Sequence, residues 1–144
     1  MAPRPTPRFQ GVWPILVTPF DDQEQLDLAS LQRVVRFMAQ LGCDGVTVLG
    51  VLGESNRLVD AEREQVIRAA VQAAGSMPVC VGTSHPGTAA TRQLCQMAEQ
   101  AGAAAVMVSP SWEPVPNEQR LFEYYQRVAE GTNLPIVVQD HPAS

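Results

Sequence analysis

Five short apolar runs recur along the chain, and each of the first four precedes a segment with helical spacing of apolar residues. The runs start near residues 12, 45, 78, 104 and 135. After the first run, Leu31, Val34, Val35 and Met38 follow the i, i+3, i+4, i+7 spacing of a helix that packs on a core. Strand and helix units of about 25–35 residues predict a parallel sheet with helical crossovers.

Turn and capping residues set the boundaries of these elements. Helix starts are predicted at residues that favour N-terminal positions, namely Asp27, Asp60, Thr88 and Asn117. Helix ends are predicted at Gly42, Gly75, Gly102 and Gly131. The predicted strands span 12–17, 45–49, 78–82, 104–108 and 134–138. The second strand is apolar apart from Thr47, which indicates burial on both faces.

Two α/β folds satisfy this pattern. An open, doubly wound parallel sheet of five strands is complete within 144 residues, and the pattern alone favours it slightly for that reason. A (β/α)8 barrel needs about 250 residues, so the chain would supply its first four βα units and strand five. In either case we assign residues 1–10 to a loose tail and 11–144 to one domain, the N-terminal half of the domain if the fold is a barrel.

Composition excludes several classes of function. A net charge of −5 argues against a nucleic-acid partner, and no apolar run approaches the ~20 residues of a membrane span. All ten basic residues are arginine, so residues 1–144 contain no lysine amine. Two histidines exclude a three-histidine metal site, and we expect no metal or cofactor. Cys43, Cys80 and Cys95 lack metal-ligand spacing and indicate buried, reduced thiols in a cytoplasmic protein.

The most informative motif is the stretch GVLGES, residues 50–55, which follows the second strand. A strand that ends on two glycines three residues apart brings bare backbone N–H groups together. Such groups can hold an anion or a carbonyl oxygen. The alternative is a plain turn, which a lone motif of this kind does not exclude.

Several motifs in register resemble the dihydrodipicolinate synthase / N-acetylneuraminate lyase family of Schiff-base aldolases. They are VTPF at 17–20, GVLGES at 50–55, GT at 82–83, GA at 102–103, SP at 109–110, and LPI at 134–136 with DHP at 140–142. The resemblance covers about residues 9 to 144. It implies a (β/α)8 barrel of about twice this length and therefore an N-terminal half here.

The resemblance implies a lysine that forms an imine with pyruvate or a related 2-oxo acid. That lysine belongs to strand six, so it would lie beyond residue 144. Residues 1–144 alone would be inactive, because they contain no lysine amine to act as the nucleophile. The implied partners are a small-molecule 2-oxo acid and identical subunits in a homodimer or homotetramer, with no nucleic acid and no membrane.

The resemblance also implies roles for particular positions. Backbone N–H groups around Val51, Leu52 and Gly53 would bind the substrate carboxylate, and the Thr18 hydroxyl would tie the first strand end to the site or cap it. The hydroxyl proton relay of the synthases falls on Val51, Gln139 and the pair at 111–112, so the relay is altered. Neither valine nor an amide transfers protons well, and we therefore expect a reaction other than dihydrodipicolinate synthesis.

Other residues near the predicted strand ends are candidates for the missing groups. Asp140 and His141 follow the fifth strand, where barrels place reacting groups, so we assign a substrate-binding role to Asp140 and a catalytic role to His141 and Gln139. A structural role for His141, as a loop histidine held before a proline, is an equally good interpretation. Trp112 would shape the pocket or a subunit interface. We interpret His85 and Glu54 as structural loop residues.

Three functions follow from these residues. The first is a 2-oxo acid lyase or aldolase of the family. The second is a non-catalytic binding or assembly protein that keeps the anion loop without the relay. The third is an open-sheet ligand-binding domain formed by residues 1–144 alone.

Overall fold

The computed structural model of the chain describes residues 8–110 and 117–140. Within these residues helices and strands alternate in the order α1 (Leu28–Gln40), β1 (Val46–Val48), α2 (Asp60–Ala74), β2 (Val79–Gly82), α3 (Thr88–Ala101), β3 (Ala105–Val108), α4 (Glu118–Ala129) and β4 (Ile136–Val138). Two short 3-10 turns, Val51–Gly53 and Ser55–Arg57, lie between β1 and α2.

The strands form one parallel sheet in the sequential order β1-β2-β3-β4. Successive helices pack against one another, α1 on α2, α2 on α3 and α3 on α4. They therefore lie side by side on one face of the sheet. A doubly wound sheet reverses its strand order and carries helices on both faces, so that alternative is wrong. Sequential parallel strands inside a row of helices form part of a (β/α)8 barrel.

The first predicted strand lies beside β1 but is not a regular strand. Ile15 forms a single parallel bridge with Thr47. The Leu16 N–H donates to the Thr47 carbonyl at 2.8 Å, and the Thr47 N–H donates to the Pro14 carbonyl at 2.9 Å. Pro14 has no N–H of its own, which limits the ladder at that point. The segment takes the place of a first strand in the sheet, and the prediction of a full strand over 12–17 was wrong.

Alternate residues of each strand pack into two different clusters. Val46, Val48, Val81, Val106 and Val108 are at most 1% exposed and face the helices. The opposite face carries Ile15, Cys80, Ala105, Met107 and Val137. This second face is the interior side of a barrel, and its burial explains why the strands read as nearly continuous apolar runs.

Helix caps agree in part with the sequence predictions. Asp27 accepts from the Ser30 N–H at 2.8 Å, which confirms the predicted cap of α1. Asn117 likewise accepts from the Arg120 N–H at 2.9 Å. Asp60 is instead the first helical residue of α2. The cap there was missed because the Glu62 carboxylate reaches back to the Val59 N–H at 2.9 Å.

The chain before residue 11 contacts the domain where the structure describes it. The Phe9 and Trp13 ring centroids lie 5.4 Å apart, and the Trp13 Nε1–H donates to the Gln10 carbonyl at 3.1 Å. Residues 1–7 lie outside the described part, so the tail boundary at residue 10 stays a prediction. None of the helices in the described ranges is long and apolar enough to cross a membrane.

Candidate functional site

A cavity of about 280 Å3 opens at the carboxyl ends of the strands. The loops that follow β1, β2, β3 and β4 all contribute to it. Its hydrogen-bonding side chains are Ser55, Asn56, Ser84, Ser109 and Gln139. Among the described residues that line it, none carries a titratable side chain. The cavity lies where barrel enzymes place their active sites, and it offers hydrogen bonds without a group that transfers protons.

The loop with two glycines forms one wall of this cavity. Its 3-10 turn uses the Gly53 N–H, which donates to the Gly50 carbonyl at 2.9 Å. The Glu54 N–H donates to the Val51 carbonyl at 3.1 Å. The N–H groups of Val51 and Leu52 have no acceptor among the described residues, and their side chains are 62% and 60% exposed. These two N–H groups are the backbone donors that the turn leaves for a ligand.

Thr18 anchors the same loop from the first segment of the sheet. Its hydroxyl donates to the Gly53 carbonyl at 2.6 Å, and both residues are buried. The predicted tie between the first strand end and the loop is therefore present in the structure. Thr18 itself does not appear among the cavity-lining residues.

Replacing Thr18 by valine should destabilise the folded state, because a buried carbonyl of Gly53 loses its donor. An orphaned buried acceptor costs about 1–3 kcal/mol. Thermal unfolding of the full-length protein would show a lowered midpoint for Thr18→Val. Thr18→Ser keeps the hydroxyl and serves as the matched control. Equal midpoints for the two variants would contradict the anchoring role.

The backbone is strained and closely packed between the loops after β1 and β2. Leu49, 3% exposed, has a φ of 58°, a left-handed conformation that is uncommon for a branched side chain. A Cβ added to Gly82 would lie 2.1 Å from the Leu49 carbonyl oxygen. Only glycine fits there without moving the backbone. The glycine therefore permits the approach of β2 that shapes this side of the cavity.

Gln139 and two serines form a hydrogen-bonded row across the ends of β2, β3 and β4. The Ser109 hydroxyl donates to Gln139 Oε1 at 3.0 Å. The Ser109 N–H donates to Ser84 Oγ at 2.8 Å, and the Gln139 N–H donates to the Val108 carbonyl at 2.9 Å. Gln139 was predicted from the sequence, whereas the roles of Ser84 and Ser109 were missed. Their signal was available, since each is an early polar residue after an apolar strand.

Three other predicted residues do not line the cavity. Asp140 is exposed. Burial raises the pKa of Tyr125 to about 12, with smaller contributions from Tyr124 and from the charge of Asp140. His85 is also exposed, and its Nδ1 accepts from the Gly87 N–H at 2.9 Å, next to the start of α3. The Glu54 carboxylate pairs with Arg57 at 3.4 Å. The hydrogen bond from the Gly87 N–H agrees with a structural loop role for His85. The substrate-binding role of Asp140 stays a prediction.

A hydroxyl network fixes the loop that carries Ser84. The Tyr124 hydroxyl of α4 donates to the His85 carbonyl at 3.2 Å and lies 2.9 Å from Thr91 Oγ1. Thr91 Oγ1 also donates to the His85 carbonyl at 3.0 Å. Burial raises the pKa of the Tyr124 phenol, so the hydroxyl keeps its proton at neutral pH. Helix α4 thereby positions the loop after β2.

Two predicted residues, Trp112 and His141, lie outside the described residues, as does Ser111. The cysteines are free thiols: Cys80 and Cys95 are buried and Cys43 is half-buried. Burial raises the pKa of Cys80 to about 12, which makes it a poor nucleophile. Within residues 8–110 and 117–140, no cluster of three histidine, cysteine or acidic residues could hold a metal ion.

Comparisons with known proteins were made for sequence and for structure. L-2-keto-3-deoxyarabonate dehydratase of Azospirillum brasilense is 40% identical over an alignment 149 positions long, which covers 100% of this chain and 48% of the dehydratase. Dihydrodipicolinate synthase of Rhodopseudomonas palustris has a crystal structure with a TM-score of 0.86 and 40% identity, covering 93% of this chain and 45% of that one.

A third relative was crystallised with a ligand. The chloride-inhibited dihydrodipicolinate synthase of Acinetobacter baumannii, complexed with pyruvate, has a TM-score of 0.89 and 26% identity, covering 94% of this chain and 47% of that one. The chain thus spans about half the length of the relatives that it matches.

The structural matches agree with the sequential sheet and its single row of helices, and they confirm the fold as part of a TIM barrel. The model of the Dihydrodipicolinate synthetase family matches residues 8–144. The chain therefore belongs to the dihydrodipicolinate synthetase family.

Proposed function

We propose that this chain is part of a lyase that binds pyruvate or a related 2-oxo acid as an imine on a lysine beyond residue 144. The observation that carries the proposal is the cavity at the strand ends, with the turn at 51–53 in its wall. The match to a synthase complexed with pyruvate supports the same class of ligand. The chain itself supplies the binding surface, since it contains no lysine.

In this proposal the backbone N–H groups of Val51 and Leu52 bind the carboxylate of the 2-oxo acid. Backbone donors persist when side chains change, so apolar side chains at 51 and 52 do not remove them. The Thr18 hydroxyl holds the turn by its bond to the Gly53 carbonyl. Val51, which lines the cavity, and its neighbour Leu52 are both exposed apolar residues.

For the reaction we propose elimination of water from a hydroxylated 2-oxo acid, as in the name of the Azospirillum relative. An imine at C2 makes the C3 proton acidic; a base removes that proton, and the C4 hydroxyl leaves as water after protonation by an acid. This reaction needs no second carbon substrate. The Ser84 hydroxyl and the Gln139 amide suit a substrate with hydroxyl groups.

Dihydrodipicolinate synthesis is not our choice, because two relay positions that line the cavity, Val51 and Gln139, carry no hydroxyl. Val51 cannot carry a proton, and the Gln139 amide is a poor acid or base. Loss of a positioned acid–base group costs about 10²–10⁴-fold in rate. We place the proton-transfer group among the residues outside the described part, with His141 as the candidate of this chain.

The test is reduction of the full-length protein with borohydride in the presence of pyruvate. An imine should be trapped as a stable adduct, seen by mass spectrometry as one added pyruvate unit per chain. The same treatment without pyruvate is the control. An unchanged mass would remove the imine mechanism.

A second candidate is a binding protein without catalysis, and the absence of titratable groups among the described lining residues favours it. Such a protein would bind pyruvate reversibly without exchanging its methyl protons for solvent deuterium. An adduct together with deuterium exchange supports the lyase. A homodimeric or homotetrameric assembly and a cytoplasmic location are also part of the proposal.

A further inference from the structure

We infer that Ser109 is a positioning residue that fixes the orientation of the Gln139 amide and makes the cavity selective for a hydrogen-bond acceptor on the substrate. The inference rests on the proposed function and refines its substrate class. It starts from one contact, the Ser109 hydroxyl donating to Gln139 Oε1 at 3.0 Å.

An amide side chain has one face that accepts and one that donates. The Ser109 hydroxyl donates a hydrogen bond to the side-chain carbonyl oxygen of Gln139. Gln139 Nε2 has no acceptor among the described residues, although the side chain lines the cavity. The amide nitrogen, with two hydrogens, is therefore the group that Gln139 offers to a ligand.

The neighbouring groups have the same polarity. Ser84 Oγ accepts from the Ser109 N–H at 2.8 Å, which leaves the Ser84 hydroxyl proton for another partner. The Val51 and Leu52 N–H groups are donors as well. A ligand with oxygen acceptors along its length matches these groups, whereas pyruvate has no oxygen beyond C2 that could accept from Gln139 Nε2.

The substrate class that fits is a 2-oxo acid with a hydroxyl or carbonyl oxygen beyond C3. The carboxylate binds at residues 51–52, and the distal oxygen accepts from Gln139 Nε2. Ser109 touches Gln139 rather than the substrate in this arrangement. Loss of its hydroxyl would free the amide to rotate, so that Gln139 Nε2 would no longer be held toward the distal oxygen.

The test compares two 2-oxo acids on the full-length protein, pyruvate and L-2-keto-3-deoxyarabonate. The readout is the concentration of each acid that half-saturates borohydride trapping. For Ser109→Ala we expect a rise of about fivefold for the hydroxylated acid and less than about twofold for pyruvate. Ser109→Thr keeps the hydroxyl and should restore the wild-type ratio.

Two further variants separate positioning from general damage. Ser76→Ala, an exposed serine before the opposite end of β2, is the matched control and should change neither value. Gln139→Met has a similar length but no amide hydrogens, and it should lose the hydroxylated acid at least as strongly as Ser109→Ala. Retained affinity in Gln139→Met, or equal shifts for both acids in Ser109→Ala, would overturn the inference.

Failure of the imine mechanism would show separately, as no trapping of either acid by the wild-type protein. Calorimetric binding of the hydroxylated acid to the same variants would then decide the role of Ser109. A loss confined to Ser109→Ala and Gln139→Met supports the positioning role, and equal binding by all variants contradicts it.

Discussion

Replacing Gly82 by alanine should lower the thermal midpoint of the full-length protein by roughly 6–12 °C, or prevent soluble expression. The added Cβ would lie 2.1 Å from the Leu49 carbonyl oxygen and 2.6 Å from the Leu49 carbonyl carbon. Both are backbone atoms, and Leu49 already has a left-handed φ. A cost of about 3 kcal/mol follows for such overpacking, at about 2–4 °C per kcal/mol.

Two other glycines provide a graded comparison for this variant. A Cβ at Gly50 would meet Ile15 Cγ2 and Met107 Cε at 2.9 and 3.3 Å, which are side-chain rather than backbone atoms. A Cβ at Gly87 would meet only the His85 ring, at 3.4 Å. Destabilisation should therefore rise from Gly87→Ala through Gly50→Ala to Gly82→Ala. A Gly82→Ala protein with the midpoint of Gly87→Ala would show that the close approach is absent.

Restoring hydroxyls at positions 51 and 139 should give the largest gain in function. The double variant Val51→Thr, Gln139→Tyr should exchange the methyl protons of pyruvate about 10²-fold faster than the wild type, since a positioned acid–base group contributes at least this factor. Both positions line the same cavity. Each single change should give less than about tenfold, because a relay needs both hydroxyls.

The exchange rate can be followed as deuterium incorporation into pyruvate by NMR. Val59→Thr and Gln126→Tyr repeat the substitutions at exposed positions that do not line the cavity, and they should leave the rate unchanged. A double variant no faster than wild type would mean that positions 51 and 139 do not act on the bound acid.

Sequence reasoning succeeded where the determinants are local. Asp27 and Asn117 cap α1 and α4 because each needs only the N–H three residues ahead. The apolar runs of β1, β2 and β3 are buried on both faces, which left little doubt about a parallel sheet. The family motifs decided between barrel and open sheet, which periodicity alone could not do.

Sequence reasoning failed where the structure depends on contacts between residues far apart in the chain. The first strand reduces to one bridge, since Pro14 cannot donate. The left-handed backbone at position 49 is occupied by leucine, so no glycine in the sequence indicates it. The need for glycine at position 82 arises from its close approach to Leu49, 33 positions away. The bond between Ser109 and Gln139 joins residues 30 positions apart on neighbouring strands, so only the fold reveals it.

The most direct test is a crystal structure of the full-length protein after borohydride trapping with pyruvate. We expect a closed ring of strands and an adduct on a lysine outside residues 1–144. We also expect a pyruvate carboxylate within about 3 Å of the Val51 and Leu52 nitrogens. A carboxylate bound elsewhere, with these two N–H groups facing solvent, would contradict the role assigned to the loop after β1.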